Sequence, residues 1–450
     1  MSFRFSAETP GFFPPVSVLT RWLLLRMFCR PALPTAAALL ILLLSIQDFA
    51  LAQTPDSPRD LAAFLRVARA NSPLLADYAG QVRQTRLDSL RRRAQQRPQL
   101  AGTAAVVAAP TVRGYGYDEA VSNGGNYAAV VTATQPLFNR PVLQNDFRIL
   151  ENQGQVLRNT GRLSALDLRR SITDQFLTAY AAQQQWSFSR ALLRQLRQQD
   201  EVLRQLVNGG IFKQTQYLTY YLSMRSQEVA VQQDQLVYRR ELGVLRYLSG
   251  VSDTAFALLE APTPPTHRAL AGLSAVAQRQ YTLDSLRLQL ERRAIDLGYR
   301  PQLSWVADAG LQSSSPMPVR LAHSFGVSAG LMLSVPVFDG HQRQIAYDRL
   351  KVAEEIRQGY RRFLTTQRSQ QYNQLEGLVQ ASNQLSATLR QQLTVAEALV
   401  KAGRQQLATG DISILDYLQL VNSYRAFQFN LTQAETERLR TLYAIDYLGE

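Results

Sequence analysis

Two stretches of the chain alternate with a period of two. In "LSWVADAGLQ", Leu303, Trp305, Ala307, Ala309 and Leu311 are mostly bulky or apolar, and Ser304, Val306, Asp308, Gly310 and Gln312 stand between them. In "FGVSAGLMLSV", Phe325, Val327, Ala329, Leu331, Leu333 and Val335 alternate with Gly326, Ser328, Gly330, Met332 and Ser334. One greasy face and one small or polar face predict strands. Tyr127, Ala129, Val131 and Ala133 give a weaker version of the same pattern earlier in the chain. Each run covers about ten residues, which is the length a tilted barrel strand needs to cross a bilayer. A soluble sandwich with one buried face would show the same alternation. The remaining pattern is helical. No proline interrupts Pro141–Val207 after its first residue, or His341–Ala408 at all, so each predicts a helix of roughly 100 Å. Shorter helices are predicted over Arg59–Gln96 and Phe212–Leu248. Leu192, Leu196, Leu203 and Leu206 recur at coiled-coil spacing, as do Leu222, Val229 and Leu236, and both sets predict dry seams. Gln and Arg crowd the other positions and predict a wet second face. Helices of this kind suit the wall of a hollow cylinder; a solid rod is the simpler alternative.

The same helix-to-strand corner is written twice, as "RPQL" at Arg97–Leu100 and Arg300–Leu303. "PLFNR" at Pro136–Arg140 and "PVFDG" at Pro336–Gly340 then follow at an offset of 200. That offset holds onward: Leu150 meets Leu350, Ala181 meets Ala381, Leu193 meets Leu393, Gly210 meets Gly410 and Leu218 meets Leu418. The chain is a tandem duplication. The first repeat is 53–255, a linker holding "APTPPTHRA" is 256–272, and the second repeat is 273–450. Each repeat reads helix, strand, strand, long helix, turn, helix. Pro98 and Pro301 stop helices where strands begin; Pro136 and Pro336 stop strands where helices begin.

The first 52 residues read as a leader. "PTAAALLILLLSIQDFALAQ" has an apolar core, then Ala50 and Ala52 ahead of a cleavage point before Gln53. Met27 is a possible true start. Cys29 is the sole cysteine, so the chain after the leader can form no disulfide, thiolate metal site or thiol nucleophile. The net charge is +14, of which the leader carries only a small part. A basic chain raises nucleic acid as a partner, but an exported address argues against it, and solvated helix faces explain the charge. His267, His323 and His341 are the only histidines, and none has a second ligand at metal spacing. No phosphate loop, nucleophile elbow or metal motif is present, so neither an enzyme nor a cofactor is predicted. Four strands cannot close a barrel, and open edges in lipid cost several kcal/mol per group, in order of magnitude. A membrane role therefore requires copies of the chain to pool strands.

Leader, duplicated halves, two-strand insertions and long helices together resemble the outer membrane efflux protein family, the TolC-like outer membrane factors. "ANSPLLADYAGQVRQTRLDSLRRRAQQRPQL", with Asn71, Pro73 and Leu75, is similar to that family's first helix. "LATGDISILDYLQLVNSY" is similar to the turn and start of its final helix. The resemblance implies a mainly α fold with a β-barrel portion. It implies a homotrimer with a 12-stranded β-barrel in outer membrane lipid and a 12-helix α-barrel in the periplasm. The function implied is a passive duct for efflux or type I secretion, coupled to an inner-membrane pump through a periplasmic adaptor (membrane fusion protein). It places gate candidates at Asp416, Gln419 and Gln216. The two helical turns, holding Asn208, Gly209, Gly210, Thr409, Gly410 and Asp411, are the expected adaptor-docking sites. A non-channel coiled coil with a structural role in the envelope remains the alternative.

Overall fold

The computed structural model describes residues 59–108, 125–253, 255–265, 274–313 and 323–449. The leader, His267 and most of both hairpin tips lie outside the described residues. Contacts divide the chain into Met1–Asp56 and Ser57–Glu450, and all described residues belong to the second unit.

The first repeat runs α1 (Leu61–Asn71), α2 (Pro73–Ala94), β1 (Gln99–Ala108), β2 (Gly125–Leu137), α3 (Arg140–Asn208) and α4 (Gln214–Ser249). The second runs α5 (Ala275–Gly298), β3 (Gln302–Ser313), β4 (Phe325–Ser334), α6 (Gln342–Thr409) and α7 (Ile414–Gly449). The long helices α3 and α6 have 69 and 68 residues, each roughly 100 Å. Pro141 occupies the first turn of α3, where its missing N–H costs no helical bond. The predicted single helix over Arg59–Gln96 is two helices. Pro73 disfavours helical backbone at Ser72, which is extended and caps α2, its Oγ accepting from the Leu75 N–H at 3.4 Å.

The four strands form one antiparallel sheet in the order β1-β2-β3-β4. Its register sets Leu303 opposite Leu333, Trp305 opposite Leu331, Ala307 opposite Ala329 and Ala309 opposite Val327. Leu137, Ala133 and Val131 continue the same face across β2. The expected greasy face thus runs across all four strands, broken by Gln135 opposite Trp305. Most of its large members, including Leu100, Val106, Val327, Leu331 and Leu333, are exposed within one chain. Pro136 falls one residue inside β2 rather than after it. By that point β1 no longer pairs, since its register ends at Gln99 opposite Thr134, so a missing donor is tolerated. Pro98, Pro301 and Pro336 lie between elements as expected.

Leu192, Leu196 and Leu203 are buried on α3 and Leu206 packs beside them. The α4 seam is not the one expected. Leu222, Val229 and Leu236 are 67%, 52% and 65% exposed. The buried seam is instead Tyr220, Met224, Gln227, Tyr238, Leu242 and Leu245. Their spacings of four, three, eleven, four and three keep them on one helical face, and two are tyrosines whose hydroxyls reach backbone carbonyls: Tyr220 to Leu196 at 2.6 Å and Tyr238 to Ala257 at 2.5 Å. Helix α4 therefore carries two apolar stripes, one used within the chain and one uncovered.

The first part of the linker is bound down. Gln183 on α3 meets the backbone of Leu259 in both directions, accepting from its N–H at 2.6 Å and donating to its carbonyl at 2.9 Å. The Glu260 N–H donates to the Arg59 carbonyl at 2.9 Å.

Candidate functional site

The two turns are built from the same parts at the same offset. Helix α3 ends with Gly210 at φ 76° and α6 with Gly410 at φ 83°, a left-handed backbone that a Cβ would strain. The Gly210 N–H donates to Val207 and the Ile211 N–H to Leu206. Likewise the Gly410 N–H donates to Leu407 and the Asp411 N–H to Gln406. Both ends are Schellman caps, which satisfy carbonyls the helix would otherwise orphan. The turns lie against each other: a Cβ placed on Gly410 would stand 3.0 Å from the Ile211 side chain. Asn208, Gly209, Gly210, Thr409, Gly410 and Asp411 are all exposed, so this end presents a polar, glycine-rich surface.

Behind it the packing is tight. Tyr220, Leu203, Leu407, Ile414 and Tyr417 are almost wholly buried. Gly403 allows α7 to come close to α6; a Cβ there would stand 2.8 Å from Leu420. Burial pushes the phenols of Tyr220 and Tyr417 above the usual tyrosine range. Arg204 spans the surface above, donating to the Tyr217 hydroxyl at 2.8 Å and pairing with Asp200 at 2.8 Å.

The gate candidates occupy helix starts. Asp416 is exposed in the first turn of α7. Its carboxylate accepts from the Ser413 hydroxyl at 2.6 Å, while its N–H donates to that same oxygen at 3.2 Å. Ser413 caps the helix and Asp416 is a first-turn acid that orients the capping hydroxyl and suits the helix dipole. Gln216, its repeat partner, accepts from the Lys213 N–H at 3.4 Å and is half-buried. Gln419 is exposed one turn beyond Asp416. Among the described residues, no hydrogen bond joins these three side chains within one chain.

The corners between helices and strands hold a cluster that sequence reasoning missed. Asp296 accepts from the Tyr347 hydroxyl and from Arg343, and Asp339 accepts from the Arg343 N–H at 2.8 Å. The Tyr347 hydroxyl, then Arg343, hold the Asp296 carboxyl below its usual range. Gln135 ties the other corner, donating to the Gln96 carbonyl at 2.9 Å and accepting from the Trp305 indole at 3.0 Å. The less greasy sheet face carries Asp308 with Ser328 hydrogen-bonded to it at 3.2 Å. Among the described residues, no group of His, Cys, Asp and Glu could hold a metal ion, and no helix is long and apolar enough to cross a membrane.

No family model and no curated protein matches the chain. Solved structures do match. A crystal structure of CusC, described for the conformational changes accompanying its folding and transmembrane channel formation, covers 87% of this chain and 92% of its own at TM-score 0.67 and 15% identity. The outer membrane protein VceC of Vibrio cholerae covers 86% and 96% at TM-score 0.66 and 14% identity. The open state of the MtrE outer membrane channel of Neisseria gonorrhoeae covers 87% and 89% at TM-score 0.66 and 13% identity. With its duplicated helices and four-stranded sheet, the chain has the fold of these outer membrane channel proteins over most of its length.

Proposed function

We propose that the chain is one third of a passive export duct in the outer membrane. One observation carries the reading. A four-stranded sheet with its two outer edges unpaired and one largely apolar face is mounted on helices roughly 100 Å long. Water is a poor solvent for that face and lipid is a poor solvent for those edges. Three copies pairing β4 to the next β1 give twelve strands, with no edge left and the apolar face turned outward. Asp308, Ser328 and Ser334 then line the lumen. Three copies likewise pool four long helical columns each into a periplasmic tube. Its far end presents the turns at Asn208–Gly210 and Thr409–Asp411 to a periplasmic adaptor and, through it, an inner-membrane pump. Asp416, with Gln419 and Gln216 nearby, is the candidate constriction at that end.

The test is assembly and conductance. Protein extracted from outer membranes in mild detergent is expected to be a trimer and to give stepwise single-channel currents in a planar bilayer. A monomer that stays in solution without detergent and carries no current would overturn the duct. Copurification with an adaptor and pump then identifies the system it serves.

A further inference from the structure

Three asparagines recur every seven residues along α3, and all three are buried: Asn145, Asn152 and Asn159. Each donates its amide to a backbone carbonyl of the antiparallel α5. Asn145 reaches Leu290 at 3.1 Å, Asn152 reaches Leu283 at 3.2 Å, and Asn159 reaches Val276 at 3.1 Å. The acceptors step down by seven as the donors step up by seven, so one register satisfies all three. Asn159 also reaches the Gln280 side chain at 2.9 Å. Each asparagine leaves its own side-chain oxygen buried without a partner. Apolar residues at these positions would avoid that cost, so stability alone does not account for the asparagines.

The duplication supplies a comparison. At the 200-residue offset the same places on α6 are Ile345, Val352 and Gly359. Ile345 and Val352 are 63% and 53% exposed within one chain, and nothing lies within 4 Å of a Cβ placed on Gly359. In the half nearest the sheet, α3 is flanked by α2 and α5 of its own chain, whereas α6 there packs on α5 alone and meets α7 only from about Tyr372 onward. The repeat predicts that the free side of α6 takes α2 of the next copy, whose Leu74, Leu87 and Leu90 are exposed. A ring of copies thus has two kinds of seam: one within the chain, polar and registered, and one between chains, apolar.

We propose that Asn145, Asn152 and Asn159 are a pairing key that commits α3 to α5 of its own chain and leaves α6 as the site for a neighbouring copy. The proposal rests on the trimeric reading above. A buried polar residue in a helical seam sets partner and register because the wrong partner leaves it unsatisfied. A slip of one heptad toward the start of α5 carries one of the three rungs past Ala275, where the helix begins, so the key resists that slip as well as the wrong partner.

The experiment replaces the key with second-repeat chemistry: Asn145→Ile, Asn152→Val and Asn159→Ala, the alanine avoiding a helical glycine. Reporter cysteines are placed level with the key by Arg148→Cys on α3 and Arg287→Cys on α5, in a Cys29→Ser background. A short bis-maleimide then joins them, and a denaturing gel separates links within a chain from links between chains. With the key intact, we expect one trimer and links within the chain only. With the key replaced, we expect loss of the single trimer and gain of cross-chain dimers. Trimer at the original yield with internal links only would overturn the key. Asn152→Val alone carries the same test if the triple variant does not accumulate: cross-chain links support the key, and internal links at original yield overturn it. A key-intact protein that is monomeric defeats the duct reading instead, and the two failures are thereby distinguished.

Discussion

Asp416 has two candidate roles that a single substitution separates. Its carboxylate is already engaged by Ser413 at the start of α7, and in a trimer three such carboxylates would ring the narrow end. Like charges crowded on an axis attract cations. Asp416→Asn is expected to lower cation preference and relieve block by multivalent metal ions in single-channel recordings, with the trimer intact. Unchanged selectivity and block would leave Asp416 as a first-turn acid of its helix alone. The neighbouring glycines make a second prediction. Gly210 and Gly410 both hold positive φ, and forcing a Cβ there costs ~1–2 kcal/mol. Gly410→Ala is expected to destabilise more than Gly210→Ala in thermal melts, because the Ile211 side chain stands 3.0 Å from the Gly410 Cβ position while the Gly210 position is open. Equal shifts would mean the two turns do not lie against each other. The offset of the repeat made both glycines legible in the sequence. The asparagine key was not legible: among so many glutamines and arginines, three asparagines read as wet surface. The Asp296–Tyr347 contact was hidden for another reason, since its residues lie 51 apart and only the corner brings them together.

At the level of elements, the strands were the most legible part, because a period of two fixes which face each residue takes once the register is known. Leu331 lies on the apolar face and Ser328 on the other. Leu331→Arg is expected to cost ~2–4 kcal/mol near the bilayer midplane and to depress assembly in the outer membrane. Ser328→Arg should assemble normally and shift ion selectivity. The reverse outcome would turn the sheet inside out. The helices were legible in length but not in seam. Leu222, Val229 and Leu236 form the more conspicuous heptad, yet the chain buries the stripe that contains Tyr220 and Tyr238. A tyrosine in a seam reads as half polar until its hydroxyl finds a carbonyl. The uncovered leucine stripe is where a neighbouring copy would pack. Val229→Asp is expected to weaken the trimer on a native gel while leaving the helical circular dichroism of the single chain unchanged. A trimer of undiminished stability would place that stripe against solvent.

For the whole molecule, the response to pH follows from its buried phenols. Tyr238 is pushed up to about 12, chiefly by burial, and Tyr220 and Tyr417 are pushed up for the same reason. A group whose folded pKa is raised stabilises the fold below its unfolded value, near 10, and that stability is lost as pH rises through the folded value. Tyrosinate absorbance and loss of helix are therefore expected to rise together in alkali, well above pH 10 in order of magnitude. Phenols that ionise while the helices persist would contradict this packing. On the acid side the Glu354 carboxyl is held down to about 2 by hydrogen bonds from Arg357 and Gln358. That contribution is present above its usual value of 4.5 and fades as pH falls toward 2. It lies at the surface, where water and salt screen it, so acid should be the milder stress. The two unpaired edges of the sheet have a further consequence, for kinetics. The β2–β3 junction forms within one chain and so closes at a rate independent of protein concentration. In the proposed trimer the junctions at β1 and β4 would need encounters between chains, so their closure would slow as the protein is diluted. A freshly delivered chain would therefore wait with its edges open for a time set by its own abundance, and correct closure would have to win at every concentration against mispairing of those same edges.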